Sequence, residues 1–340
     1  MARGQKGRDS MSRTGLEQAA LALWPRLAAM AGVAPEGYVP RLLSWRDEPT
    51  RCRIVLEMTA PGGRPLVLKL APLPADPALF AGSLSAQQAA LRAMGGGVPR
   101  VLAALPEDHV LLMERVPGET AAAVMEQATR PEQLDEALAA CGRWLARFHA
   151  ATDAGMRAYR PRAVCEHLAR QREAVEAGRR QVPLAREFMA LSERVIAEAA
   201  RHDGQPARAA GRHGDMNLRN LVLEGDPPGQ GEVWGLDFAP AQSAPVGHDV
   251  ARLLLNYAVT CTEPAQIPEG EVLPPRALAA FFGGYGFSGP EDASIGFLLR
   301  NQILADWARI PVAAAKSDLL QQIRLAALRG IARRAFPDLG

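Results

Sequence analysis

The sequence predicts an α+β chain with a small N-terminal lobe, built on an antiparallel sheet and a helix, and a larger, mostly helical C-terminal lobe. Three observations predict it. Two strand-like runs, Arg51–Met58 and Pro65–Ala71, flank a Pro-Gly-Gly turn and form a β-hairpin. From Pro131 onward apolar residues recur mainly at helical spacing. A chain of 340 residues that is 48% hydrophobic is long and apolar enough for two cores.

The first fifteen residues are polar and basic, with Arg3, Lys6, Arg8 and Arg13 and no apolar centre, and are expected as a loose tail, not a secretory signal. The N-terminal lobe is then expected over residues 16–115 and the C-terminal lobe over 116–340. Leu16 to Ala31 has helical spacing, interrupted by Pro25, and caps the first lobe. In the second strand of the hairpin Leu66, Leu68 and Leu70 share one face, and Val67, Lys69 and Ala71 the other. Lys6, Lys69 and Lys316 are the only lysines among 39 basic residues. A lone strand lysine reads as a surface group. A compact ammonium in so Arg-biased a chain can also reach phosphates where a planar guanidinium fits differently.

Ser83 reads as an N-cap of a helix over Leu84–Met94. Val98-Pro99 begins a connector, and His109–Val116 reads as the last strand of the small lobe, with His109 and Glu119 exposed. Pro131–Ala151 places Leu134, Leu138, Cys141, Leu145 and Phe148 on one helical face, with Trp144 beside them and a structural His149 near the end. Tyr159–Asp203 reads as two amphipathic helices broken at Gln181-Val182-Pro183. Pro274–Phe336 is helical, and its aromatic residues Phe281, Phe282, Tyr285, Phe287 and Trp307 read as core more than as a wall for an acceptor.

A net charge of +2 gives no electrostatic case for nucleic acid or an acidic membrane. No apolar run reaches membrane-span length. Cys52, Cys141, Cys165 and Cys261 are scattered without metal spacing, as reduced thiols of a cytoplasmic protein would be.

The chemistry gathers in Arg212-His213-Gly214-Asp215-Met216-Asn217-Leu218-Arg219-Asn220, before the apolar Leu221-Val222-Leu223, and in Leu236-Asp237-Phe238. Asp215, Asn220 and Asp237 are the three polar groups phosphoryl transfer asks for. One acid takes the proton of the attacking hydroxyl; an amide and a carboxylate hold magnesium on the nucleotide phosphates. A tight loop after His213 turns Asp215 toward an acceptor and brings Asn220 back beside it. The Gly- and Pro-rich turn over Gly225–Gly231 then returns the chain so that Asp237 faces Asn220.

HGDMNLRN, LDFAPA and GHDVARLL together resemble the aminoglycoside phosphotransferases, choline kinases and related small-molecule kinases, which share a two-lobed protein-kinase-like fold. The resemblance covers most of the chain. It implies ATP or GTP with Mg2+ as cofactors and a small-molecule hydroxyl as acceptor. It implies Asp215 as catalytic base, Asn220 and Asp237 on the metal, Lys69 on the α/β-phosphates and Val67 beside the adenine. The backbone of a hinge over Glu114–Pro117, with Glu114 and Val116, would read the base edge. His213 and Asp249 would hold the catalytic loop, Asp249 from a helix over Gly247–Val259. Gln87 stands where the lysine's usual acidic partner is expected, and would hydrogen-bond Lys69. The stretch Leu42–Arg53 lacks the glycines of a phosphate-covering loop, so amides around Ser44–Thr50 would do that work. These two departures favour one alternative, a catalytically weak nucleotide-binding scaffold. The retained Lys69, Asp215, Asn220 and Asp237 argue against it. His213, Asp215, His248 and Asp249 suggest another, an HD-type metal phosphohydrolase, which leaves Lys69 and Asn220 without a task. Tyr159–Asp203, which shapes the acceptor site in that family, shows no acidic surplus for a polycationic aminoglycoside.

Overall fold

A computed structural model describes residues 12–48 and 51–337. The chain divides into two compact units, one running to Arg92 and resuming over Val98–Pro117, the other comprising Ala93–Gly97 and the chain from Gly118. Most of the basic tail, with Arg3, Lys6 and Arg8, lies outside the described residues. Arg13 already belongs to helix α1 (Arg13–Met30), whose N-cap Ser12 accepts a hydrogen bond from Gly15 N.

The first unit holds a five-stranded antiparallel sheet in the order β1-β2-β3-β5-β4. Its strands are β1 (Val39–Glu48), β2 (Arg51–Thr59), β3 (Leu66–Leu73), β4 (Val101–Leu105) and β5 (Val110–Glu114). Alternation sends Leu66, Leu68 and Leu70 into a core with Leu16, Ala20, Trp24 and Leu27 of α1. That packing carries α1 straight through Pro25, which does not interrupt it. On the other face Val67 packs with Leu111 and Met113, and Phe80 lies against them.

Three expectations fail in this unit. The glycine-free stretch is no open loop: β1 pairs with β2 from Val39↔Thr59 to Glu48↔Arg51, so Ser44–Glu48 are strand residues. Pro49 and Thr50, between them, lie outside the described residues. As an edge strand with Leu42, Leu43 and Trp45 exposed, β1 has no clean two-residue apolar period to betray it. Helix α2 (Pro77–Met94) starts before Ser83, because Asp76 Oδ1 caps it by accepting from Ala78 N and Leu79 N. His109 is buried, not exposed, in a left-handed conformation just before β5.

In the second unit β6 (Glu119–Thr120), β9 (Leu221–Leu223) and β10 (Val233–Gly235) form one small sheet. β7 (Met156–Ala158), β8 (Pro206–Gly211) and β11 (Ser243–Pro245) form another. The helices are α3 (Ala121–Glu126), α4 (Pro131–Ala151), α5 (Arg162–Glu176), α6 (Ala185–His202), α7 (Gly247–Cys261), α8 (Pro275–Tyr285), α9 (Ala293–Trp307), α10 (Ala314–Ser317) and α11 (Leu319–Ala335). α4 packs on α8, where Gly284 leaves no room for a side chain against the Ala139 backbone. α7, α9 and α11 pack on one another. Phe281, Tyr285 and Trp307 are buried as expected of core residues, Trp307 donating from Nε1 to Pro183 O at 2.8 Å.

Candidate active site

The second unit brings Asp215, Asn220 and Asp237 to one end of the β9–β10 hairpin. The hairpin is registered by Val233↔Leu223 and Gly235↔Leu221. Trp144 of α4 fixes its position: Trp144 Nε1 and Gly235 N both donate to Gly97 O at 2.8 Å. The indole lies so close to Gly235 that a Cβ there would sit 2.0 Å from its ring. Past Gly235 the chain crosses to the loop, Leu236 N donating to Asn220 O at 2.8 Å and Ala239 N to His213 O at 2.9 Å. Asp237, between these two bonds, has φ of 62°, a left-handed conformation uncommon outside glycine but more accessible to Asp than to most residues. Gly214 is also left-handed, and a Cβ on it would meet the Ala239 Cβ at 2.6 Å, so the tight loop requires glycine.

Asn220 is buried, and its Nδ2 donates to Asp215 O at 2.7 Å and reaches Asp215 Oδ2 at 3.3 Å. Asn217 closes the turn, donating to Asp215 O and accepting from Arg219 N. Under the loop, Phe238 lies 4.4 Å from His213 ring to ring, with Trp144 and Phe148 around them. His213 is fully buried on this aromatic floor, and its Nδ1 accepts from Asp215 N at 3.4 Å. Burial pushes its pKa below the usual histidine value, against the pull of Asp249, Asp215 and Asp237.

Asp249, at the start of α7, is 1% exposed and takes both loop amides: His213 N at 2.7 Å and Gly214 N at 3.0 Å. His149 stands behind it, Nε2 3.4 Å from Asp249 Oδ2 and Nδ1 2.7 Å from Tyr285 Oη. Burial alone would raise the Asp249 pKa. The His149 hydrogen bond, the charges of His149 and His213 and the Gly214 amide outweigh it and hold the carboxyl below its usual range.

Two residues of the site went unrecognised in the sequence. Arg252 Nη2 donates to Asp215 Oδ1 at 2.6 Å, and Asn256 Oδ1 accepts from Leu218 N at 3.0 Å. The signal was present: Asp249, Arg252 and Asn256 follow one another at three and four residues, on one face of α7.

In the first unit Val67 and Lys69 share a face of β3, and Lys69 pairs in register with Val55 and Leu111. Gln87, expected to hydrogen-bond Lys69, has an acceptor elsewhere. It is buried and donates from Nε2 to Pro99 O at 2.9 Å. Gln87→Glu would therefore set a carboxylate against a carbonyl, and is expected to cost about 1–3 kcal/mol in urea unfolding instead of preserving full function. Glu114 Oε1 accepts from Arg100 N at 2.8 Å, and the Arg115 guanidinium bridges Glu57 Oε1 and Val116 O. The stretch Glu114–Val116 is thus tied to its neighbours through side chains.

His248 has its pKa pushed down to about 4, by burial first and then by Arg212, with Asp249 opposing. The unfolded chain therefore binds this proton more readily. The stability that neutral His248 supports is complete above about pH 6.5 and is lost as pH falls toward 4, at up to about 1.4 kcal/mol per pH unit. His213 shifts in the same direction, so the slope is shared. Urea unfolding of parent and His248→Gln between pH 4 and 7 isolates it: the variant's slope is expected to be shallower.

Fold and site together define a protein-kinase-like α+β phosphotransferase. The sequence profile of the phosphotransferase enzyme family matches residues 55–295, and the chain belongs to that family. Among solved structures it is similar to a glucosamine kinase in complex with glucosamine, ADP and inorganic phosphate (18% identity, 95% of this chain and 83% of that one, TM-score 0.55). It is similar to an amicoumacin kinase in complex with AMP-PNP and Ca2+ (14%, 94% and 96%, TM-score 0.55). It is also similar to a macrolide 2'-phosphotransferase from Brachybacterium faecium (18%, 90% and 97%, TM-score 0.53). At these identities the likeness is one of fold. No curated protein matches the chain significantly. Among the described residues no helix is long and apolar enough to cross a membrane.

Proposed function

We propose that the protein transfers the γ-phosphoryl group of ATP or GTP to a hydroxyl of a small molecule, with Asp215 as the base. The observation that carries this is the bond of Asn220 Nδ2 to Asp215 O, which locks the base and a metal-ligand candidate into one loop. The similar proteins solved with ADP, with AMP-PNP and Ca2+, and with glucosamine support a nucleotide, a divalent ion and a small acceptor.

The donor set suits magnesium. With Nδ2 turned to Asp215, Asn220 presents its amide oxygen, and Asp237 adds a carboxylate at the end of the hairpin. Two hard oxygen ligands, with phosphate oxygens and water completing the shell, are what Mg2+ takes in phosphoryl-transfer sites. When bound, the ion would neutralise charge on the β- and γ-phosphates. Lys69 would contact the α/β-phosphates, Val67 would line the base pocket, and the backbone of Glu114 and Val116 would read the base edge. Asp215 orients the acceptor hydroxyl and takes its proton as oxygen attacks the γ-phosphorus and the bond to the β-phosphate breaks. His213 and Asp249 touch no substrate in this scheme; they hold the catalytic loop, while Gln87 ties α2 to Pro99 O.

The phosphohydrolase alternative loses its ligands. Asp249 is occupied by loop amides, and among the described residues no group of three or more His, Cys, Asp or Glu is placed to hold a metal. Magnesium-dependent thermal stabilisation by ATP or GTP tests the proposal. It is expected in the parent and absent in Asp237→Ala; an unchanged response in that variant removes Asp237 from the metal.

A further inference from the structure

Successive turns of α7 grip the catalytic loop in order. Asp249 accepts from His213 N and Gly214 N, Arg252 Nη2 donates to Asp215 Oδ1 at 2.6 Å, and Asn256 Oδ1 accepts from Leu218 N at 3.0 Å. The loop thus runs along one face of the helix. Asp249 and Asn256 hold backbone amides. Arg252 differs, because its bond falls on the carboxylate of the base itself. The two oxygens of that carboxylate are not equivalent. Oδ1 takes the charge-assisted bond from Arg252. Oδ2 meets Asn220 Nδ2 at 3.3 Å, a long contact, since the same Nδ2 is spent on Asp215 O at 2.7 Å. The Arg252 side chain is 15% exposed and that of Asp215 31%, so the pair is more sheltered than two mobile surface chains. Arg252 Nε is buried and has no hydrogen-bond partner among the described residues. Buried donors are rarely left so; the position that reaches Asp215 Oδ1 leaves this one without an acceptor.

We propose that Arg252 is a positioning residue for the transfer: by holding Oδ1 it fixes the Asp215 carboxylate so that Oδ2 is the oxygen presented to the acceptor hydroxyl. The proposal rests on the phosphotransfer reading and deepens it. In the step, the hydroxyl oxygen bonds the γ-phosphorus, the bond from that phosphorus to the bridging oxygen of the β-phosphate breaks, and the hydroxyl proton goes to Oδ2. Catalysis of this kind is mostly aim, and a misplacement of about 1 Å can cost on the order of a hundredfold in rate. The last side-chain torsion of an aspartate is broad, so without Arg252 the carboxylate turns and the aim of Oδ2 is lost.

The test uses the full chain with ATP, GTP and Mg2+ on a panel of neutral sugars, amino sugars and polyols, with water as a further acceptor. Every variant is read on the acceptor the parent uses fastest. Arg252→Ala is expected to keep magnesium-dependent stabilisation by nucleotide. It should lower kcat by about ten- to a hundredfold, with the nucleotide KM within about twofold of the parent. Millimolar guanidinium should restore part of that kcat. A double-mutant cycle in single turnovers decides the role. On the Asp215→Asn background Arg252→Ala should cost no more than about a further twofold, because an arginine that acts through the carboxylate has nothing left to aim. Asn256→Ala, which frees a backbone amide, should instead lower both backgrounds by the same factor. An equal loss on both backgrounds from Arg252→Ala overturns the proposal. So does an unchanged kcat, or a loss carried by the nucleotide KM, which would assign Arg252 to the phosphates. If Arg252→Ala does not fold, Arg252→Met, which fills the space without a donor, takes its place in the cycle under the same criteria. Each of these failures leaves phosphotransfer standing. No nucleotide consumption by the parent with any alcohol or with water removes phosphotransfer, and the role of Arg252 with it.

Discussion

Asp215→Asn is expected to keep magnesium-dependent stabilisation by nucleotide and to lower turnover by about two to four orders of magnitude, the range for a lost general base. The substitution keeps the side-chain shape. Asn220 Nδ2 bonds the Asp215 main-chain carbonyl at 2.7 Å, and that contact survives the change. What disappears is the acceptor of the hydroxyl proton and the negative partner of Arg252. The loss should fall on kcat, because the proton moves in the transition state and not on binding. Single-turnover assays of parent and variant on the identified acceptor decide it: equal rates would remove Asp215 from the role of base. Urea unfolding of the same variant separates a chemical loss from the structural effect of leaving Arg252 without its counter-ion.

The second large effect is structural. Asp249→Ala removes a carboxylate that is 1% exposed and leaves His213 N and Gly214 N without their acceptor. His149 loses its partner on the same side. Each buried amide left without its acceptor costs about 1–3 kcal/mol. A shift of the urea midpoint at constant slope would report it. Because the Asp249 pKa is held below its usual range in the fold, its contribution is present above the ordinary carboxylate pKa of about 3.9. It is lost as pH falls below that value, so the parent should approach the variant in stability only in strong acid. A variant within about 0.5 kcal/mol of the parent at neutral pH would mean that Asp249 does not hold the loop.

The α+β class, the hairpin carrying Lys69, the long α4 helix and the polar residues Asp215, Asn220 and Asp237 can be read directly from the sequence. These were legible because each rests on local rules: two-residue alternation in β3, helical spacing in α4, and a short loop whose spacing is set by one turn and one hairpin. Tertiary structure alone decided the rest. β1 is an edge strand with exposed apolar residues, so no buried face imposed a period on it. The start of α2 was set by Asp76, one polar residue among several able to cap. Gln87 turned to Pro99 O because a buried amide must find an acceptor wherever the fold supplies one, and that carbonyl lies 12 residues away. The pairing of Arg252 with Asp215 joins residues 37 apart. Helical spacing from Asp249 marks the face that Arg252 occupies. Which carboxylate it meets follows only from the tertiary structure, which sets α7 against the loop.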